Sequence, residues 1–157
     1  MTPTSPSVAR VAAALEAAGL AVQILEPGPA RTAEEAAAAC GCARDQIVKS
    51  LIFQGQNGRH YLFLTAGGNR VDPAKAAALA GEPLGRADAD TVRAATGFAI
   101  GGVAPLGHLT ALATFADPRL IDFPTVWAAA GTPRHVFAAE PRALIAACGA
   151  TVGDFTA

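Results

Sequence analysis

The sequence has few cysteines, little excess charge of either sign and no uninterrupted apolar run, and each shortage removes a class of function. Cys40, Cys42 and Cys148 are three cysteines in 157 residues. That is an odd number in a chain long enough to bury roughly 70% of its unfolded surface and to fold without a covalent staple. Cys40-Gly41-Cys42 is spaced CxC rather than CxxC and has no histidine cluster beside it. The three therefore read as small buried thiols of a reducing cytosol rather than as a metal or redox site. A formal net charge of −1 offers no basic field, so any nucleic-acid contact has to come from a local patch. Charges, Gly and Pro interrupt every alanine-rich tract before it reaches membrane-spanning length. The opening MTPTSPSVAR lacks the basic region and apolar stretch of a signal peptide. A soluble, cytoplasmic protein is expected, with no membrane and no DNA among its partners.

Several enzyme signatures are missing too. There is no GxSxG elbow, no HExxH, no Walker P-loop and no GxGxxG after a first strand. His60, His108 and His135 lie far apart without metal-ligand spacing, so neither a metal site nor a cofactor is expected. At 52% hydrophobic and 16% charged residues the chain is too apolar to be disordered. No repeat or low-complexity linker divides it, which leaves a single domain over residues 1–157.

What is present alternates between helix and strand. Val8, Val11, Ala12 and Leu15 recur at helical spacing, with Ser7 as the expected N-cap and Gly19 as the left-handed cap. Leu20–Leu25 reads as a short strand broken by Pro27-Gly28-Pro29. Thr32-Ala-Glu-Glu35 has the form of a capping box ahead of an alanine run that closes at Gly41. Ile47–Phe53 and His60–Thr65 read as a hairpin around Gln54–Gly58. Asp72-Pro73 opens a short helix and Asp88 another, which ends near Gly97. Strands are expected over Phe98–Val103, Leu109–Phe115 and Thr125–Ala130, then a turn into His135–Ala138. A last helix starts at Glu140-Pro141 and stops at Gly149. Hairpins outnumber βαβ units, so the fold class is α+β, with a mixed, mostly antiparallel sheet.

Two stretches carry candidate chemistry. In IVKSLIF, alternation places Ile47, Lys49, Leu51 and Phe53 on one face and Val48, Ser50 and Ile52 on the other. A lysine in the middle of an apolar face is either an edge-strand lysine that discourages aggregation or a cavity-lining cation that awaits an anion. In Ile100-Gly-Gly-Val-Ala-Pro-Leu-Gly-His108, three glycines and a proline make a rigid loop with approachable backbone N–H groups. Such a loop is either an ordinary connection or a holder for a carbonyl oxygen or phosphate. His108 alone reads as a surface or structural histidine.

Taken together, IVKSLIF and its hairpin, then VRAATGFAIGGVAPLGH and VWAAAGTPRHVF, resemble the YbaK/ProX family of aminoacyl-tRNA deacylases. That family includes the editing insertion of bacterial prolyl-tRNA synthetases. The resemblance runs from about Val8 to Val152 and implies a strongly curved mixed sheet flanked by helices. It also implies a trans-acting hydrolase, without cofactor, that clears mischarged tRNA, chiefly tRNA(Pro) carrying alanine, cysteine, 2-aminobutyrate or another small non-cognate residue. Aminoacyl-tRNA is then the partner, with prolyl-tRNA synthetase as a second.

Carried across, Lys49 matches the family lysine, and Gly102, Pro105 and Gly107 match the Gly-x-x-Pro-x-Gly loop. Lys49, Gly102 and Gly107 are the catalytic candidates. Thr32 matches the hydroxyl residue that opens the second helix, and Gly131, Thr132 and His135 fall where related proteins shape the amino-acid pocket. With Ser50, Gly101, Pro105 and His108 they complete the substrate-binding candidates. Ser50 stands where some alanine-specific relatives carry asparagine, which argues against placing the chain in that subgroup.

The implied chemistry is undemanding. An aminoacyl ester is already activated, so hydrolysis needs positioning, a stabilised oxyanion and a water rather than a strong nucleophile. The competing reading is a non-catalytic module of the same fold that binds tRNA or a synthetase. A free-ester hydrolase or a nucleotide-binding enzyme finds no phosphate motif to support it.

Overall fold

The computed structural model describes residues 5–28 and 30–157. Residues 1–4 of the opening segment, and Pro29 of the expected strand break, lie outside the described residues. Helix α1 spans Pro6–Ala17, followed by strand β1 (Ile24–Leu25), helix α2 (Ala33–Cys40), and strands β2 (Ile47–Gly55) and β3 (His60–Ala66). Helix α3 (Pro73–Ala80), strand β4 (Leu84–Arg86), helix α4 (Ala89–Thr96) and strands β5 (Ala113–Ala116), β6 (Val126–Ala129) and β7 (Val136–Ala139) come next. Helix α5 (Pro141–Cys148) and strand β8 (Thr151–Val152) end the order. Among the described residues no helix is long and apolar enough to cross a membrane.

The helices start and stop where local chemistry dictates. Thr32 Oγ1 accepts the Glu35 N–H at 3.1 Å, and Gly41 ends α2 in the left-handed region at φ +68°. Thr32→Ala removes that acceptor and should cost about 1 kcal/mol of stability, readable in chemical denaturation. Asp72, Asp88 and Glu140 cap α3, α4 and α5 in the same way. The cap of α1 is Ser5 rather than Ser7, because Pro6 takes the first helical position and the Ser5 hydroxyl accepts from the Val8 N–H.

The strands form one mixed sheet in the order β1-β7-β6-β2-β3-β5-β8, with β4 paired to β2 beside that path. The pairs β1/β7, β6/β7, β2/β3 and β2/β4 are antiparallel, while β2/β6, β3/β5 and β5/β8 are parallel. The alternation read from the sequence holds. Val48, Ile52, Leu62 and Leu64 pack with Val11 and Leu15 of α1 in the larger core. Phe53, Tyr61 and Phe63 face the other way, towards Ala76 and Phe155. There Phe63 meets Phe53, Phe115 and Phe155 with ring centroids 5.4, 5.2 and 4.9 Å away.

Three expectations change. Phe98–Val103 is not a strand, because Gly101 sits at φ +90° and the Gly102 N–H closes a turn onto the Ala99 carbonyl at 2.9 Å. The strand at Leu109–Phe115 shortens to β5, since the N–H groups of Leu109 and Thr110 bond the last carbonyls of α4, on Thr96 and Ala95. Leu20–Leu25 shortens to β1. Strands β4 and β8 went unread, being three and two residues long with no alternation to detect.

The pairing of β2 creates the site. One of its edges bonds β3 from Val48 to Gln54. The other edge is divided, with Ile47 and Val48 paired to β6 and Phe53 to Gly55 paired to β4. Between these two partners, Lys49 to Leu51 pair with no strand among the described residues, and the Ile52 carbonyl accepts only the Ala87 N–H just past β4, at 3.3 Å, so a central strand is left with an open edge.

Candidate active site

A cavity of about 300 Å³ occupies that gap. Val48, Lys49, Ser50, Leu51 and Ile52 all line it although alternate residues point to opposite faces, as an opening at a strand edge requires. The start of α2 (Arg31, Thr32), the glycine loop (Gly101, Val103) and the Gly131–His135 turn (Thr132, His135) close it.

Lys49 is half-buried, and its Nζ donates to the Asn69 carbonyl at 2.6 Å. Burial, then the neighbouring Arg44 and Arg70 cations, push its pKa below the ordinary lysine value, and Asp117 and Asp45 offset part of that effect. Beside it, the Ser50 hydroxyl is buried without a hydrogen-bond partner among the described residues. A buried polar atom left unsatisfied is costly, and here it belongs to a residue of the cavity wall, where a polar ligand can satisfy it.

The glycine loop meets the cavity with one end only. Gly101 and Val103 line it, and among the described residues no acceptor takes either N–H. The Gly102 N–H is used in the Ala99 turn. Its α-carbon packs so closely on the Gly131–Thr132 backbone that an added Cβ would lie 2.7 Å from the Thr132 α-carbon. Gly131, at φ +101°, lies against the Ser7 carbonyl at the start of α1.

The far end of the loop turns away. Pro105 is buried outside the cavity lining. The Gly107 carbonyl accepts from Arg10 Nε of α1 at 2.8 Å. His108 Nε2 donates to the Ala104 carbonyl at 2.6 Å, and its ring stands edge-on to Phe98, over which Arg10 also lies at 4.3 Å. Burial is the main cause of a lowered His108 pKa, which favours the neutral ring. Gly107, Pro105 and His108 thus fasten the loop to α1, while Lys49, Thr32, Ser50, Gly101, Thr132 and His135 come together around one volume.

At the opposite wall, Thr132 Oγ1 accepts the Arg134 N–H at 3.1 Å and lies 2.6 Å from His135 Nδ1. The other ring nitrogen of His135, Nε2, lies 3.6 Å from the Glu26 carboxylate. Sequence reasoning missed Glu26, and also Arg31, Arg86 and Trp127 in the cavity wall. Arg31 adjoins the capping Thr32 but carries no pattern of its own, and Arg86 belongs to the unread β4. Among the described residues neither arginine makes an ion pair. The thiols lie outside this site. Burial is the main cause that raises the pKa of Cys40 and Cys42, and it takes Cys148 to about 12, so all three are poor nucleophiles.

The family profile described as an aminoacyl-tRNA editing domain matches residues 27–147. A crystal structure described as a candidate trans-editing enzyme for prolyl tRNA synthetase is similar at 50% identity and TM-score 0.92, over 99% of both chains. The crystal structure of hypothetical protein APE2540 is similar at 32% identity and TM-score 0.87, over 94% of this chain and 99% of that one. The uncharacterized protein YwhH of Bacillus subtilis (strain 168) is 31% identical over 113 residues, 72% of each protein.

Proposed function

This chain belongs to the aminoacyl-tRNA editing domain family, and from that membership we propose that it is a trans-acting aminoacyl-tRNA deacylase. Its substrate in this reading is tRNA(Pro) mischarged with a small amino acid such as alanine, cysteine or 2-aminobutyrate, met in the cytoplasm in the wake of prolyl-tRNA synthetase. The observation that carries the proposal is the open edge of β2, where a half-buried cation, and a hydroxyl and two N–H groups without partners among the described residues, belong to residues that line one small cavity.

The cation and the N–H groups each have a task in ester hydrolysis. Lys49 holds the terminal phosphate or ribose, and Trp127 offers a face for the terminal base. The N–H groups of Gly101 and Val103 point their dipoles at the ester carbonyl and stabilise the oxyanion as water adds. The 2′-hydroxyl of the tRNA orients that water, so no side chain has to act as a strong base. A cavity at the small end of ligand pockets accepts a short side chain and excludes longer ones. This supplies discrimination that a synthetase pocket lacks, where one methylene is worth only about 1–3 kcal/mol.

The purified protein tested on a panel of tRNA(Pro) species charged with alanine, cysteine, 2-aminobutyrate, serine and proline should hydrolyse a subset of the small non-cognate esters and spare prolyl-tRNA. Tight binding with no hydrolysis of any member would identify a binding module instead.

Recognition should also depend weakly on salt. Lys75 is engaged with Asp154 and the Thr156 carbonyl, and Arg44 with Glu34, which leaves Lys49, Arg31, Arg70 and Arg86 as the cations on or beside the cavity. Three or four phosphate contacts to a single-stranded end give a slope of log K against log salt of roughly −2 to −3. A slope steeper than roughly −4, equivalent to about six phosphates, would contradict this set of contacts.

A further inference from the structure

The loop that follows β3 is pinned more firmly than a connection needs to be. Asp117 is only 1% exposed, and its Oδ2 accepts both the Ala66 N–H at 3.1 Å and the Asn69 side-chain amide at 2.8 Å. Its Oδ1 accepts the Arg119 N–H at 2.9 Å. From the other side, Asp45 Oδ1 accepts the Gly68 N–H at 2.8 Å. Gly67 runs so close to the Arg44 carbonyl that a Cβ there would overlap it. The loop is also closed on itself by the bond from the Asn69 N–H to the Ala66 carbonyl at 2.9 Å. The Asn69 carbonyl held in this way receives the Lys49 ammonium.

A buried carboxylate is tolerated when donors surround it, and a fully bonded network of this kind is rigid. A lysine stem has four rotatable bonds and wanders unless its head is fixed. We propose that Asn69 and Asp117 are positioning residues for Lys49. Asp117 fixes the Asn69 side chain, and the Asn69 carbonyl then seats the ammonium at the cavity wall, which leaves its remaining N–H groups for substrate. This rests on the reading of Lys49 as the substrate-holding cation.

The test is a double-mutant cycle in the full chain, with deacylation of mischarged tRNA(Pro) as the readout. Asn69→Ala should lower kcat/KM about five- to tenfold, the scale of roughly one hydrogen bond. In the Lys49→Ala background the same change should have no further effect, because its influence passes through Lys49. The chain has two lysines, Lys49 and Lys75, so 15N-lysine labelling reads both ammonium groups. Asn69→Ala should move the Lys49 signal and leave Lys75, on its separate Asp154 bridge, in place as a check on folding. Wild-type kcat/KM in Asn69→Ala, or an equal loss in both backgrounds, overturns the positioning role. Wild-type turnover in Lys49→Ala refutes the reading of Lys49 instead, and the seat with it.

Discussion

Lys49→Ala is expected to reduce deacylation of mischarged tRNA(Pro) by roughly 10- to 160-fold, the kinetic equivalent of a charge-assisted hydrogen bond worth about 1.5–3 kcal/mol. The protein should stay folded, at a cost of about 1 kcal/mol for the lost bond to the Asn69 carbonyl. The two effects separate because Lys49 lies where β2 has no strand partner on its open side. Truncation there enlarges a cavity that already exists rather than cutting into the core. Lys49→Arg should not rescue activity fully, since a planar fork cannot reproduce a point charge seated on one carbonyl. Single-turnover rates with thermal melts on both variants check this. If the folded Lys49→Ala protein turned over like wild type, Lys49 would be an ordinary edge-strand lysine and the cation that holds the tRNA end would have to be another.

The sequence reveals what is decided within a few residues. Thr32 with Glu35, Asp88 with Thr91, and Gly41 and Gly149 at helix ends are interactions spaced three or four apart, and all stand where pattern reasoning puts them. Alternation in IVKSLIF identifies Lys49 as anomalous in the same way. The cavity is a different matter, because it exists only where β6 and β4, segments 40 or more positions apart in the chain, both pair with β2 and leave a gap between them. No local pattern encodes a missing partner. The role of Asn69 is equally silent, since a backbone carbonyl that accepts from a lysine leaves no mark on residue type. The glycine loop falls between these cases. Its composition announces a tight path, yet its direction depends on Arg10 of α1, which draws Gly107 away from the cavity that Gly101 enters.

Gly102→Ala should show that the two cavity loops work as one unit. No positive φ obliges glycine at this position, so alanine meets no conformational objection and the obstacle is space. The new Cβ would lie 2.7 Å from the Thr132 α-carbon, 2.9 Å from its carbonyl carbon and 3.0 Å from the Gly131 oxygen. All three are backbone atoms, so the loops must move apart. Overpacking of this kind costs about 1–3 kcal/mol, and it displaces the neighbouring N–H groups of Gly101 and Val103 from the ester oxygen. Loss of one oxyanion donor costs about 2.7–4 kcal/mol, so kcat should fall by roughly two to three orders of magnitude while KM changes little. Gly107→Ala is the informative contrast. At φ +83° it strains the backbone, but its Cβ would meet the Arg10 carbonyl oxygen 3.4 Å away and Ala14 of α1, outside the cavity. It should lower the melting temperature and leave kcat of the folded fraction near wild type. If both variants lost kcat equally, the loop would transmit strain along its whole length. If Gly102→Ala lowered only the melting temperature, the oxyanion donors would have to be sought on β2 or in the Gly131–His135 turn.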